Sequence, residues 1–226
     1  MQKALRIIGV IAVSVVLLAT IIISTMPKSN TAEEVWDTAT TMGNINAKNH
    51  YIIYSDLACP YCIIFENAIV EHEEEFQKYI TKNDILVEIR ISDFLYEYGT
   101  HPTAASRLGA IGTYCAKEEG KFWDYYNLAI AATAEQFYTY GTSSTAPDKD
   151  EFWERIAKQT GVSENWETCY KNKTPLRAIV DTAEKTAPLV DGMPYFKFNN
   201  YTFSGFNPNG DWDDVKLHLD AGLKKK

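Results

Sequence analysis

The sequence predicts an α/β domain with a helical insertion, carried behind one membrane-spanning segment. Three observations predict it. Ile7 to Met26 is apolar without a single charge. A strand, a helix and a second strand follow one another between His50 and Ser92. A long stretch of helical spacing, Pro102 to Ala187, then separates that unit from a closing hairpin and helix. The chain has 226 residues, of which 46% are hydrophobic and 23% charged. That is globular usage and excludes a disordered or collagen-like chain. With 22 basic and 30 acidic residues the net charge is -8, which argues against a broad nucleic-acid-binding surface. The run Lys224 to Lys226 reads as a solvated basic tail.

The first segment reads IIGVIAVSVVLLATIIISTM. At about 1.5 Å per residue it reaches about 30 Å, the thickness of a hydrocarbon core. It is longer than a secretory apolar region, and Ser24-Thr25-Met26 lacks a small-x-small cleavage site. Residues 1–26 are therefore expected to be an uncleaved signal-anchor. Lys3 and Arg6 ahead of the run favour an N-terminus inside and a domain outside, so the expected location is single-pass in the cell membrane with the domain extracytoplasmic. Thiols placed there can persist as disulfides. Residues 27–48 are mixed and polar, expected to be a linker, although Glu33 to Thr41 could form a short helix. The folded domain is expected over 49–223, with 224–226 as tail.

His50 to Ser55 is aromatic and β-branched, a buried strand. Pro60 to Ile80 has helical spacing, with Ile64, Ala68 and Ile69 sharing a face. Asp84 to Ser92 alternates apolar and polar residues as a strand does. In the insertion, Ala104, Leu108, Ile111 and Cys115 recur at helical intervals. Phe122–Ala134, Lys149–Gln159, Ser163–Tyr170 and Pro175–Thr186 are further helices, punctuated by Gly120, Gly141, Pro147 and Gly161. Pro194–Asn199 and Tyr201–Ser204 flank Asn199-Asn200 as a hairpin, and Asp211 to Leu223 closes the chain with an amphipathic helix.

The chemistry is concentrated in Cys59-Pro60-Tyr61-Cys62, directly after a strand and at the start of a helix. Amides at a helix start point outward unpaired, and the helix dipole favours an anion there. The thiolate is the reactive form of cysteine. Pro60 suits the first helical turn, where no N–H is needed. The two-residue spacing lets Cys62 reach back to Cys59, so the pair can cycle between dithiol and disulfide through a mixed disulfide on Cys59. Other readings fit less well. Zinc would need a second close ligand pair, and Cys115 and Cys169 are far apart in sequence. Haem attachment needs His where Ile63 stands. A purely structural Cys59–Cys62 bridge remains the bland alternative. No metal and no organic cofactor are implied.

The stretch YSDLACPYC, the helix after it and the long helical insertion resemble the DsbA-like branch of thioredoxin-fold thiol:disulfide oxidoreductases. Gly120-Lys121-Phe122-Trp123 is similar to that family's turn after a helix. Gly192-Met193-Pro194-Tyr195-Phe196 is similar to its cis-proline loop, and Phe203-Ser204-Gly205-Phe206 to its strand-end glycine. The resemblance covers about Asn49 to Leu223. It implies a thioredoxin-like fold with an inserted helical domain at about 100–187. It also implies a cis Pro194 against the cysteine pair, with the backbone of Met193 free to meet a bound peptide. Some relatives carry a non-catalytic bridge in the insertion, which implies a Cys115–Cys169 disulfide; two separate buried thiols stay open as the alternative. Where the best-known oxidants of the branch have His, this chain has the neutral Tyr61, and a weaker oxidant is expected.

Asp56, three residues before Cys59, has two readings: a cap of the helix that follows, or an acid that tunes the thiols. Glu66, one helical turn past Cys62, is read as part of a solvated face. His50, His72, His101 and His218 are dispersed, which argues against a Cys–His hydrolase. The expected function is introduction of disulfides into cysteine-containing exported proteins, and the resemblance implies reoxidation by a membrane quinone-linked partner. A monomer is expected, and an isomerase fits less well because the sequence has no room for a separate dimerisation domain. The alternatives are a disulfide reductase of exported proteins, and a non-enzymatic membrane-tethered binding module with structural disulfides.

Overall fold

The computed structural model describes residues 39–100, 102–141 and 144–225. The expected membrane span at 1–26 lies outside them, and among the described residues no helix is long and apolar enough to cross a membrane.

Five strands form one sheet: β1 (Ala39–Met42), β2 (Asn49–Ser55), β3 (Ile85–Ile91), β4 (Tyr195–Phe198) and β5 (Tyr201–Ser204), in the order β1-β3-β2-β4-β5. β2 and β3 run parallel, with Asn49 opposite Ile85 and Ser55 opposite Ile91. Their crossover is helical, as parallel neighbours require. β4 joins the other side of β2 antiparallel and continues into β5 through the two-residue turn Asn199-Asn200, where Asn199 takes φ +52°.

The linker expected at 27–48 is corrected by β1, which pairs antiparallel with β3 from Ala39–Arg90 to Met42–Val87. Met42 packs on the core, and Gly43, at φ +102°, turns the chain away directly afterwards. Four residues carry too little alternation to announce a strand. The expected helix Pro60–Ile80 is two helices, α1 (Pro60–Glu71) and α2 (Glu73–Lys82). They part at His72, whose φ of -122° leaves the helical range and whose N–H bonds Ile69 rather than the carbonyl four residues back. The imidazole then stacks on Trp212 of the last helix.

The insertion contains α3 (Phe94–Tyr98), α4 (Ala104–Lys117), α5 (Phe122–Tyr140), α6 (Asp150–Thr160), α7 (Glu164–Lys171) and α8 (Leu176–Thr186); α9 (Trp212–Lys224) closes the chain. The main core lies on the face of the sheet that carries Tyr51, Ile53, Val87, Ile89 and Phe196, against α1, α5 and the aromatic residues Tyr125, Trp153 and Trp166. The insertion is fastened to the sheet by Tyr114, whose hydroxyl accepts from Ile91 N–H and donates to Ile91 C=O, both at 2.9 Å. β3 is buried along its whole length. Its polar half is no solvent face: Arg90 donates to Glu88 and, at 2.7 Å, to the Tyr54 hydroxyl. Burial of such charges is tolerated because each has a partner.

Candidate active site

β2 ends at Ser55, and three residues of loop bring Cys59 to the start of α1. Cys59 is the N-cap residue, with extended backbone (φ -82°, ψ 116°) and a carbonyl that already accepts from Ile63 N–H at 3.0 Å. No side chain caps this helix end, and Pro60 takes its first position. The sulfur is therefore the polar group held beside the free amides of the first turn. Cys62 follows within the first turn. Both cysteines are free thiols. Both residues are buried, but Cys59 keeps 5% of its surface exposed and Cys62 none, so Cys59 is the more accessible of the two. Tyr61 between them is exposed. Burial pushes the Cys62 thiol well above its ordinary value, helped by the neighbouring Cys59 and by Glu66.

The peptide bond Met193–Pro194 is cis, directly ahead of β4. It carries Met193 to the cysteines: Cys59 Sγ lies 3.5 Å from Met193 O. Pro194 O accepts from Gly205 N–H at 2.8 Å, and Gly205 has φ +77°, where glycine is the residue without steric cost. Cys59, Cys62, Met193, Ile52 and Tyr54 form a second, smaller apolar cluster, flanked by Phe94, Leu95 and Tyr195. The far-separated Cys59-Pro60-Tyr61-Cys62 and Met193-Pro194 are thus brought together, while Cys115 and Cys169 are joined elsewhere, between α4 and α7, by a disulfide with Cα atoms 5.7 Å apart.

The capping reading of Asp56 is corrected. Its Oδ1 accepts from Ala58 N–H at 2.8 Å, and its Oδ2 from Leu95 N–H at 2.8 Å and from the Ser106 hydroxyl at 2.6 Å. It ties the loop before Cys59 to α3 and α4 instead of closing the end of α1. Full burial pushes its carboxyl up to about 6, against the lowering effect of those three hydrogen bonds. The solvated reading of Glu66 is also corrected: it is 2% exposed. Burial pushes it up to about 8, and the hydroxyls of Ser55 and Tyr126 oppose that rise without forming a well-made hydrogen bond. Residues 62–68 of α1 are buried without interruption, so apolar spacing could not single out a wet face there. Among the described residues no cluster of three His, Cys, Asp or Glu could hold a metal ion.

Residues 36–220 match a family model described as Thioredoxin. No curated protein matches the sequence. Among solved structures the chain is similar to MdbA, a thiol-disulfide oxidoreductase from Actinomyces oris (14% identity, 82% of this chain and 86% of that one, TM-score 0.63). It is also similar to Wolbachia pipientis alpha-DsbA1 (14%, 84% and 94%, TM-score 0.61) and to oxidised BdbD from Bacillus subtilis (19%, 81% and 92%, TM-score 0.58). At these identities the likeness is one of fold.

Proposed function

The chain belongs to the thioredoxin family, and from that membership we propose that it is a dithiol–disulfide oxidoreductase acting on cysteine-containing exported proteins. One observation carries the reading: Cys59 opens a helix, is the more exposed thiol of the pair, and faces the carbonyl of Met193 beside a cis proline. A sulfur at a helix start is favoured as thiolate and as leaving group. Cys62, closed to solvent, is reserved for the intramolecular step. The neighbours that share the fold include a thiol-disulfide oxidoreductase and a protein-disulfide isomerase, which agrees with this chemistry.

In the proposed direction a substrate thiolate attacks Cys59 of the oxidised pair, and Cys62 leaves as the mixed disulfide forms. A second substrate thiol then releases Cys59, and the substrate departs with a disulfide. The apolar run Ile7 to Met26 supports a single-pass anchor with the domain outside the cytoplasm. A membrane quinone-linked partner would reoxidise the pair. Two assays on the full chain test the proposal: reduction of insulin in the presence of a dithiol, and oxidation of a reduced two-cysteine peptide by the oxidised protein. Peptide oxidation that is lost in Cys59→Ala supports it. Insulin reduction alone would indicate the reductase direction, and neither activity would leave the motif as a staple.

A further inference from the structure

The helical insertion lays one face of α4 on the loop that carries Cys59. Ser106 and Gly109 lie one turn apart on α4 and share that face. The Ser106 hydroxyl donates to Asp56 Oδ2 at 2.6 Å and accepts from Tyr96 N–H at 3.3 Å. Gly109 meets the next residue of the loop. A Cβ at this position would lie 3.0 Å from Leu57 Cβ and 2.7 Å from the Trp153 ring, so only glycine lets α4 come this close. Ser106, Asp56 and Leu57 are fully buried. The contact is therefore dry, and a hydroxyl placed in it acts on a carboxylate without competition from solvent.

Asp56 in turn meets both cysteines. Its carbonyl accepts from Cys59 N–H at 3.0 Å and its Oδ1 from Ala58 N–H at 2.8 Å, so the turn into Cys59 closes on Asp56. Burial raises the Cys62 thiol, and a hydrogen bond from the N–H of Asp56 opposes that rise. The main chain of Asp56 thus reaches both cysteines, while its side chain is held from the insertion by Ser106 and by Leu95 N–H. A disulfide closes only in a narrow geometry, with sulfurs about 2.0 Å apart and a dihedral of roughly 90°. Play in this loop would carry Cys59 out of that range.

We propose that Ser106 is a positioning residue for the resolving step: with Gly109 it clamps the Asp56–Ala58 loop, and the clamp sets Cys59 where Cys62 can close on it. The inference rests on the dithiol-exchange reading above. In that step Cys62, as thiolate, attacks Cys59 Sγ of a mixed disulfide. The Cys59–Cys62 bond forms, the bond to the partner sulfur breaks, and the partner leaves with the electron pair. The proton shed by Cys62 passes through the buffer to the departing thiolate. Attack by Cys59 on a free disulfide asks less of the loop, because a small partner moves to the sulfur. The insertion therefore acts on closure of the pair and not on the first attack.

The test separates the two steps. The reduced full chain is mixed with rising concentrations of oxidised glutathione, and release of the second glutathione is timed. At low concentration attack by Cys59 limits the rate; at high concentration the rate levels off at closure by Cys62. Ser106→Ala should keep the initial slope and lower the plateau about tenfold, less than the roughly 10²-fold of a 1 Å misplacement because Leu95 N–H still holds Asp56. Alanine is the better helix former, so α4 itself is not weakened. A folded Ser106→Ala protein with an unchanged plateau, or with slope and plateau lowered alike, overturns the inference. A wild type that never releases the second glutathione overturns the exchange reading itself. Should Ser106→Ala not fold, Gly109→Ala decides: its methyl displaces Leu57 and must lower the plateau alone. Should neither fold, hydrogen exchange of the wild type decides: the amides of Ala58 and Cys59 must be protected as strongly as those of Leu95 and Tyr96, and faster exchange in the loop sinks the inference.

Discussion

The sulfur of Cys59 lies 3.5 Å from the carbonyl oxygen of Met193, a residue 134 positions further along the chain. The contact joins the start of α1 to the loop ahead of β4, so a peptide attached at Cys59 would lie beside the Met193 backbone. Cys59→Ala is expected to abolish both insulin reduction and peptide oxidation. Cys62→Ala should instead leave Cys59 able to react once and accumulate mixed disulfides, because the sulfur that resolves them is gone. Mass spectrometry of the full chain after incubation with a cysteine peptide separates the two outcomes.

Tyr61 is 46% exposed between the two cysteines, and it adds no positive charge beside the Cys59 sulfur. A cation there would stabilise the thiolate and with it the reduced form. The reduction potential of the full chain, measured against glutathione, is expected below the roughly -120 mV of a strong oxidant, and Tyr61→His should raise it. A wild type already at that potential would contradict the argument.

Much of the site is legible in the sequence. Cys59-Pro60-Tyr61-Cys62 follows a strand and opens a helix, and Met193-Pro194 precedes one, so both carry local signals. Asp56 and Glu66 do not, because their roles depend on which elements cover them. Asp56 is claimed by Leu95 and Ser106 of the insertion, which no spacing near Asp56 announces. Glu66 is enclosed by Tyr51 and Ser55 of β2 and Tyr126 of α5, in a helix apolar on more than one side. The break at His72 escapes for a related reason: the imidazole stacks on Trp212, distant in sequence, and no glycine or proline marks the position. The strand Ala39–Met42 is short, and its partner β3 lies half a hundred residues away.

Two buried carboxyls give the folded protein a preference for lower pH. Burial raises Asp56 from 3.8 to about 6 and Glu66 from 4.5 to about 8. A raised acid binds its proton more tightly in the folded state, so stability falls as pH climbs from the unfolded value to the folded one. Each contributes a loss of roughly 1.4 kcal/mol per pH unit within its own window. Glu88 is displaced downward by His50 and Arg90 despite its burial, so its contribution runs the other way and is lost as pH falls. Urea unfolding of single variants separates them. Glu66→Gln should remove the fall nearest pH 8. Asp56→Asn should remove the fall between about 4 and 6, but lower stability by about 1–3 kcal/mol at low pH, because its amide leaves the N–H of Leu95 or of Ala58 without an acceptor.

The Cys115–Cys169 bridge closes a loop across 54 positions of the insertion, between α4 and α7. It lies apart from the cluster that holds Cys59 and Met193. Cross-linking residues this far apart removes loop-closure entropy from the unfolded chain, about 4 kcal/mol in the chain-entropy treatment. The double variant Cys115→Ala, Cys169→Ala should therefore lose unfolding free energy on that order in denaturant titrations, while its peptide-oxidation rate under native conditions stays near that of the wild type. Trp166, whose indole N–H donates to Gly112 O at 2.8 Å, already binds α7 to α4, so the helices should remain docked without the bridge. A variant that keeps its stability but loses activity would show that the bridge acts on the exchange chemistry and does not merely brace the insertion.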